Sequence, residues 1–163
     1  MSSWCVSIAF VRDGEVQFGM VYSPPRNELF AGFQDRPATL NGRSIALHPA
    51  TGVKHGMMSV GYSTRVAVKD FLPLFERALD AGGMFYRDGS GALTLCYVAC
   101  GRLIGYIEPH INSWDCLGAI AVLRAAGGMT SDFLANDGLF KGNFLIAGPP
   151  ALYPQLEALF KGA

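Results

Sequence analysis

The sequence predicts an α/β protein of the layered α+β kind, in which an antiparallel meander is followed by a mixed α/β sheet packed with helices. Two observations carry this reading. Over the first fifty residues, short runs of β-forming residues alternate with tight turns; beyond them, strand-like runs alternate with stretches whose apolar residues recur at helical spacing. The 163 residues amount to about one ordinary domain, long enough to bury a sizeable core.

Residues 4–11 and 16–22 are rich in β-formers, and Arg12-Asp13-Gly14-Glu15 between them has hairpin chemistry with Asp-Gly at its centre. A third strand over 28–33 follows the Pro24-Pro25 break, and Ala38 to Arg43 carries an Asn-Gly turn that suits short strands. After the loop at 49–56 the period changes. Residues 57–62 read as a short buried strand, and 69–81 as a helix with Phe71, Leu72, Phe75 and Leu79 on one side, closed by Gly82-Gly83. A strand at 84–86, an almost wholly apolar helix at 90–100 and a strand at 103–107 come next. A third helix over 114–126 ends at Gly127-Gly128, 144–147 is a last strand, and 150–160 a last helix with Pro150 in its first turn.

Thirteen basic residues balance thirteen acidic ones, so the formal net charge is zero and the electrostatic footprint of a nucleic-acid binder is missing. No apolar run is long enough for a membrane span, and Met1-Ser2-Ser3 leads into strand without a leader pattern, so a cytoplasmic protein with neither nucleic acid nor membrane as partner is expected. Small-molecule chemistry or protein contacts remain. Cys5, Cys96, Cys100 and Cys116 lie in apolar contexts with no CxxC pair, which suits buried thiols in a reducing compartment. Cys96 and Cys100 are four apart on a helix, yet no companion ligand stands at metal spacing.

The residue most open to a chemical role is Asp115, in the first turn of the third helix, with Asn112 or Ser113 available as cap. The helix dipole stabilises a carboxylate there, which is a sufficient structural reason for it. The same rigid, ionised oxygen donor also suits a hard cation such as magnesium. Both readings stand on spacing alone. Other candidates have less support. His110 follows Pro109 in an expected loop, His48 and His55 flank a loop without partner acids, and Ser23 and Ser63 lack a G-x-S-x-G elbow. Asp132, Asn136 and Asp137 read as solvated loop residues, and no G-x-G-x-x-G or Walker pattern occurs.

Glu108, then Ser113-Trp114-Asp115-Cys116, then Ala125-Ala126-Gly127-Gly128 resembles the second signature of the inositol monophosphatase family: a glutamate, a short run, W-D, a helix and A-G-G. Upstream, Gly89-Ser90-Gly91-Ala92-Leu93 and Cys96 to Arg102 look like the family's glycine, small-residue, helix and G-R segment. Residues 4–9 and 19–24 look like its paired strands, and Ala38 to Arg43 like its A-x-x-N-G turn. The similarity runs in order along nearly the whole chain.

The resemblance implies a sugar-phosphatase-like fold and a magnesium-dependent phosphomonoesterase acting on inositol phosphate or a similar small phosphate ester. It makes Asp115 a metal ligand and Glu108 the acceptor of a substrate hydroxyl, with Ser90 and Gly91 beside the polyol; the alternative for Glu108 is a solvated acid at a strand end. The family's first signature, D-P-(I/L/V)-D-G-T, would precede Trp4, and the chain opens at Met1-Ser2-Ser3. A truncated member is therefore expected, with residues 1–50 a remnant of the N-terminal sheet region and 51–163 the C-terminal α/β domain. Ile104 stands where the family often has Asp. With Asp115 as the one metal-binding acid identified, the chain is expected to be inactive alone, since two-metal chemistry needs both ligand clusters. The alternative is a non-catalytic remnant or interaction protein. Loss of the family's N-terminal helices would leave an apolar sheet face uncovered, so a homo-oligomer is expected.

Overall fold

Asp13 and Gly14 both take positive φ, 53° and 75°, and so close a hairpin whose twist matches the strands on either side. Those strands are β1 (Val6–Arg12) and β2 (Glu15–Ser23), and the meander continues through β3 (Glu28–Phe33), β4 (Arg36–Leu40) and β5 (Arg43–Ser44). Asn41-Gly42, at φ 49° and 77°, makes the last turn in the same way. All five strands pair antiparallel in sequence order. The structure is a computed structural model that describes residues 3–162, and the reading of Met1-Ser2 as the start of the chain lies outside them.

The second sheet is mixed and follows the order β7-β6-β8-β10-β9. Its strands are β6 (Met57–Val60), β7 (Met84–Tyr86), β8 (Gly105–Ile111), β9 (Met129–Thr130) and β10 (Asn143–Gly148). β6 pairs parallel with both β7 and β8, while β10 pairs antiparallel with β8 and β9. The parallel pairs need crossovers, which the helices α1 (Val68–Asp80) and α2 (Gly91–Ala99) supply. α3 (Ser113–Ala125) follows β8, α4 (Gly138–Lys141) is a single turn, and α5 (Tyr153–Lys161) ends the described chain.

The layers follow from which residues are buried. α2 and α3 are apolar nearly all round because they lie between the two sheets, where Val21 and Phe30 meet Leu93, Leu95, Ile120 and Leu123, all fully buried. A second core on the far face of the mixed sheet joins Met58, Val60, Ile107 and Ile146 to Leu74 of α1 and Leu156 of α5. The outer face of the meander has no covering layer among the described residues. Val6, Ile8 and Phe10 are 49%, 49% and 44% exposed, and Phe10, Phe18 and Phe33 stack across three strands with ring centroids 5.6 and 5.7 Å apart. No helix of the described residues is long and apolar enough to cross a membrane.

Three expectations are corrected. β8 continues through Pro109 to Ile111 instead of stopping at 107, so His110 lies in a strand. Glu108 and Ile111 face Leu145 and Asn143, which leaves one extra residue on β8, and the proline without an N–H falls in that bulge. The last helix starts at Tyr153; Pro150 lies in a turn tied by the Leu152 and Tyr153 N–H groups to Pro149 O, and Pro154 takes the first-turn position. The polar stretch with Asn136 and Asp137 contains a short 3-10 turn and α4.

Candidate functional site

The parallel strands β6, β7 and β8 all point their C-terminal ends to one side, and a cleft of about 620 Å³ opens there. This is the end of an α/β sheet where ligands generally bind, because loops and helix N-termini converge on it. Gly61 to Arg65 follow β6, Arg87 to Gly91 follow β7, and Glu108 and Asp115 lie on β8 and the first turn of α3. Trp4 and Cys5, entering β1, close the remaining side. The sheet thus brings together all four expected site residues, Ser90, Gly91, Glu108 and Asp115.

α2 and α3 both begin at the cleft, so two positive helix ends face it. Ser90 caps α2: its Oγ accepts from Leu93 N–H at 3.3 Å and lies 3.7 Å from the Cys5 thiol. Asp88 fixes that start, with Oδ1 accepting from Ser90 N–H at 3.0 Å and from the Thr94 hydroxyl at 3.3 Å. Gly91 is closely packed, since a β-carbon there would stand 2.6 Å from Ile111 Cδ1 and 3.2 Å from Tyr106 Oη. Two arginines add positive charge to the rim. Arg87 Nη2 donates to Tyr62 O at 3.1 Å, and Arg65 donates to Ser63 Oγ from its backbone N–H and from Nη1.

Glu108 is 7% exposed, so the alternative of a solvated strand-end acid is wrong. Side chains two apart share a strand face, and the phenol of Tyr106 donates to Glu108 Oε2. Burial pushes the Glu108 carboxyl above its ordinary value; the Tyr106 hydrogen bond and the Arg87 guanidinium pull it back, and Asp115 pushes it up. Asp115 is exposed at the third position of α3, and its backbone N–H donates to Asn112 O at 3.1 Å. Asn112 holds the cap position, yet its side chain makes no cap bond, so neither expected cap side chain acts as one. His110 also lines the cleft and bonds Lys141 O through Nε2 at 3.0 Å.

Among the described residues no three His, Cys, Asp or Glu side chains cluster closely enough to hold a metal ion. Glu108 is bonded to Tyr106 and Asp88 to the start of α2, which leaves Asp115 able to supply one oxygen ligand. One carboxylate is not a magnesium centre, and the residues described do not by themselves fit that ion. Gly61, Arg65, Arg87 and Tyr106 are among the cleft residues that escaped the sequence reading. Tyr106 was within reach, standing two residues before Glu108 on an expected strand. The other three come together only through the parallel pairing of β6 with β7 and β8.

The inositol monophosphatase family model matches residues 1–161. The Nus factor SuhB of Pasteurella multocida is 31% identical over 154 residues, covering 93% of this chain and 57% of that protein. The Nus factor SuhB of Xylella fastidiosa is 37% identical over 138 residues, covering 82% and 50%. Among solved structures, the extragenic suppressor protein SuhB from Bartonella henselae matches with a TM-score of 0.87 at 27% identity, covering 96% of this chain and 61% of that one. Inositol monophosphatase from Anabaena matches at 0.83 and 26%, covering 99% and 65%. The chain spans 57% and 50% of the length of the two curated relatives. Relatives named as Nus factors lend no support to the expectation that nucleic acid is excluded as a partner.

Proposed function

The chain belongs to the inositol monophosphatase family, and on that footing we propose that it supplies the polyol-binding side of such a site and does not hydrolyse phosphate esters alone. The observation that carries this is Glu108, a carboxylate buried on the floor of a cleft onto which two helix N-termini open. An inositol phosphate or similar small ester offers what that arrangement wants, an anion for the helix ends and a hydroxyl for the carboxylate. In this reading Glu108 accepts the hydroxyl, Ser90 and Gly91 border the polyol, and Asp115 gives magnesium one ligand. Magnesium in this family would activate water and neutralise phosphate charge, which takes more ligands than Asp115. Residues 1–50 are read as belonging to an N-terminal sheet region and 51–163 as the C-terminal α/β domain. The four free thiols suit a reducing, cytoplasmic setting. Calorimetric titration with inositol monophosphate in magnesium tests the proposal: binding lost in Glu108→Ala supports it, and binding unchanged in that variant refutes it.

A second reading, a non-catalytic interaction protein, is favoured by the uncovered face of the meander. A contiguous apolar surface of this kind ordinarily marks a contact site. Self-association through it would make the chain a homo-oligomer. Light scattering on the purified protein distinguishes an assembly from a monomer.

A further inference from the structure

We propose that Tyr106 is a positioning residue for Glu108, and that the pair makes the cleft select phosphate esters bearing a hydroxyl near the phosphate. The inference rests on the reading of the cleft as a polyol phosphate site. Tyr106 is 2% exposed, and its phenol donates to Oε2 of Glu108. The same oxygen is confined from the opposite side. A β-carbon at Gly61 would overlap Oε2 and stand 2.6 Å from Cδ of Glu108, so the carboxylate lies directly on the glycine main chain. Gly61 cannot retreat, because its N–H donates to Ile107 O at 2.8 Å. Gly91 closes over the phenol in the same manner, its would-be β-carbon 3.2 Å from Tyr106 Oη.

Oε2 is therefore occupied and fixed, and Oε1 is the acceptor left over, with no hydrogen bond among the described residues. A carboxylate held this way reads one hydroxyl from one direction, and the entropy of orienting it is already spent on folding. An ester without that hydroxyl displaces water and leaves Oε1 unpaired, which a buried acceptor tolerates poorly. A purely structural role for the phenol would satisfy Glu108 without affecting which ester binds.

Tyr106→Phe separates the two, since it keeps the ring and removes the donor. With magnesium present, calorimetry should show the wild-type chain binding inositol monophosphate more tightly than phenyl phosphate. The variant should lose about tenfold for inositol monophosphate and stay within about twofold for phenyl phosphate. Gly61→Ala, which displaces Oε2 and leaves the phenol intact, should give the same pattern. A variant that binds both esters as the wild type does, or loses both equally, overturns the selectivity. Independently of any ligand, the carbon-13 resonance of the Glu108 carboxyl should titrate at higher pH in Tyr106→Phe than in the wild type. A wild-type chain that binds neither ester overturns the reading on which selectivity rests, whereas an unmoved Glu108 titration overturns the positioning itself.

Discussion

Gly19 of β2 and Gly118 of α3 meet backbone against backbone, so that a β-carbon on either would run into the facing main chain. For Gly118 the obstructing atoms include Ile8 O at 2.8 Å and Met20 O at 3.2 Å, neither of which can rotate away. Gly32 meets the main chain of Val122 one strand further on. This close approach sets the height of α3 over the meander and places the first turn of α3, with Asp115, at the cleft.

Gly118→Ala exposes two opposing effects to measurement. Helix propensity favours alanine by about 1 kcal/mol, and overpacking against a rigid main chain costs about 1–3 kcal/mol or more. The clash should win, and Gly118→Val should cost about 3 kcal/mol or more because the strands must then separate. The midpoint and slope of urea unfolding measure both.

The stacked Phe10, Phe18 and Phe33 lie on the uncovered sheet face, across β1, β2 and β3. Purified protein is expected to self-associate through it, and Phe18→Lys to shift the population toward monomer without changing the far-ultraviolet circular dichroism. Light scattering across a concentration series reads the difference. A parent chain that stays monomeric at high concentration would remove this surface from the account.

Glu108 makes stability depend on pH in a direction opposite to that of a salt-bridged acid. Burial raises its folded pKa above the ordinary 4.5, so the folded state holds the proton more tightly than the unfolded state does. Its stabilising contribution is full below that ordinary value and is lost as pH rises through the raised one. Glu108→Gln, which cannot ionise and still accepts from Tyr106, should therefore have a higher Tm than the parent at pH 8. The gain should vanish by about pH 3, below the reference carboxylate range, and scanning calorimetry at the two pH values checks the sign.

Asp115 is exposed, and its structural contribution is that of an acid near a helix N-terminus, about 0.5 kcal/mol. Asp115→Asn should thus fold normally. Any magnesium the chain binds should be weak, on the order of millimolar for so few ligands, and the variant should abolish it. Titration calorimetry with magnesium alone distinguishes this from an acid that only stabilises the helix start.

Much of the fold was legible because it rests on local chemistry. Asp13-Gly14 and Asn41-Gly42 announce hairpins, since few other residues take positive φ cheaply, and Gly82 and Gly127 stop their helices for the same reason. The strand at Met84–Tyr86 and the acid in the first turn of α3 were read from spacing alone. What escaped depends on tertiary context. A two-residue strand such as β9 carries no period, and Pro109 hides the end of β8 because its tolerance there comes from a bulge set by β10. The burial of Glu108 could not be read from its sequence neighbours, because Gly61, which lies against the carboxylate, is 47 positions away (108 − 61). Asp115 is legible as an acid at a helix start, but its place in one cleft with Glu108, Arg65 and Arg87 follows from parallel strand order.

The central proposal is that the cleft binds a polyol phosphate while the described residues lack the ligand set for hydrolysis. Phosphate release from inositol monophosphate in saturating magnesium, run side by side with Asp115→Asn, tests it most directly. The account predicts no release above a protein-free control from either protein. Turnover by the wild-type chain that disappears in Asp115→Asn would contradict it.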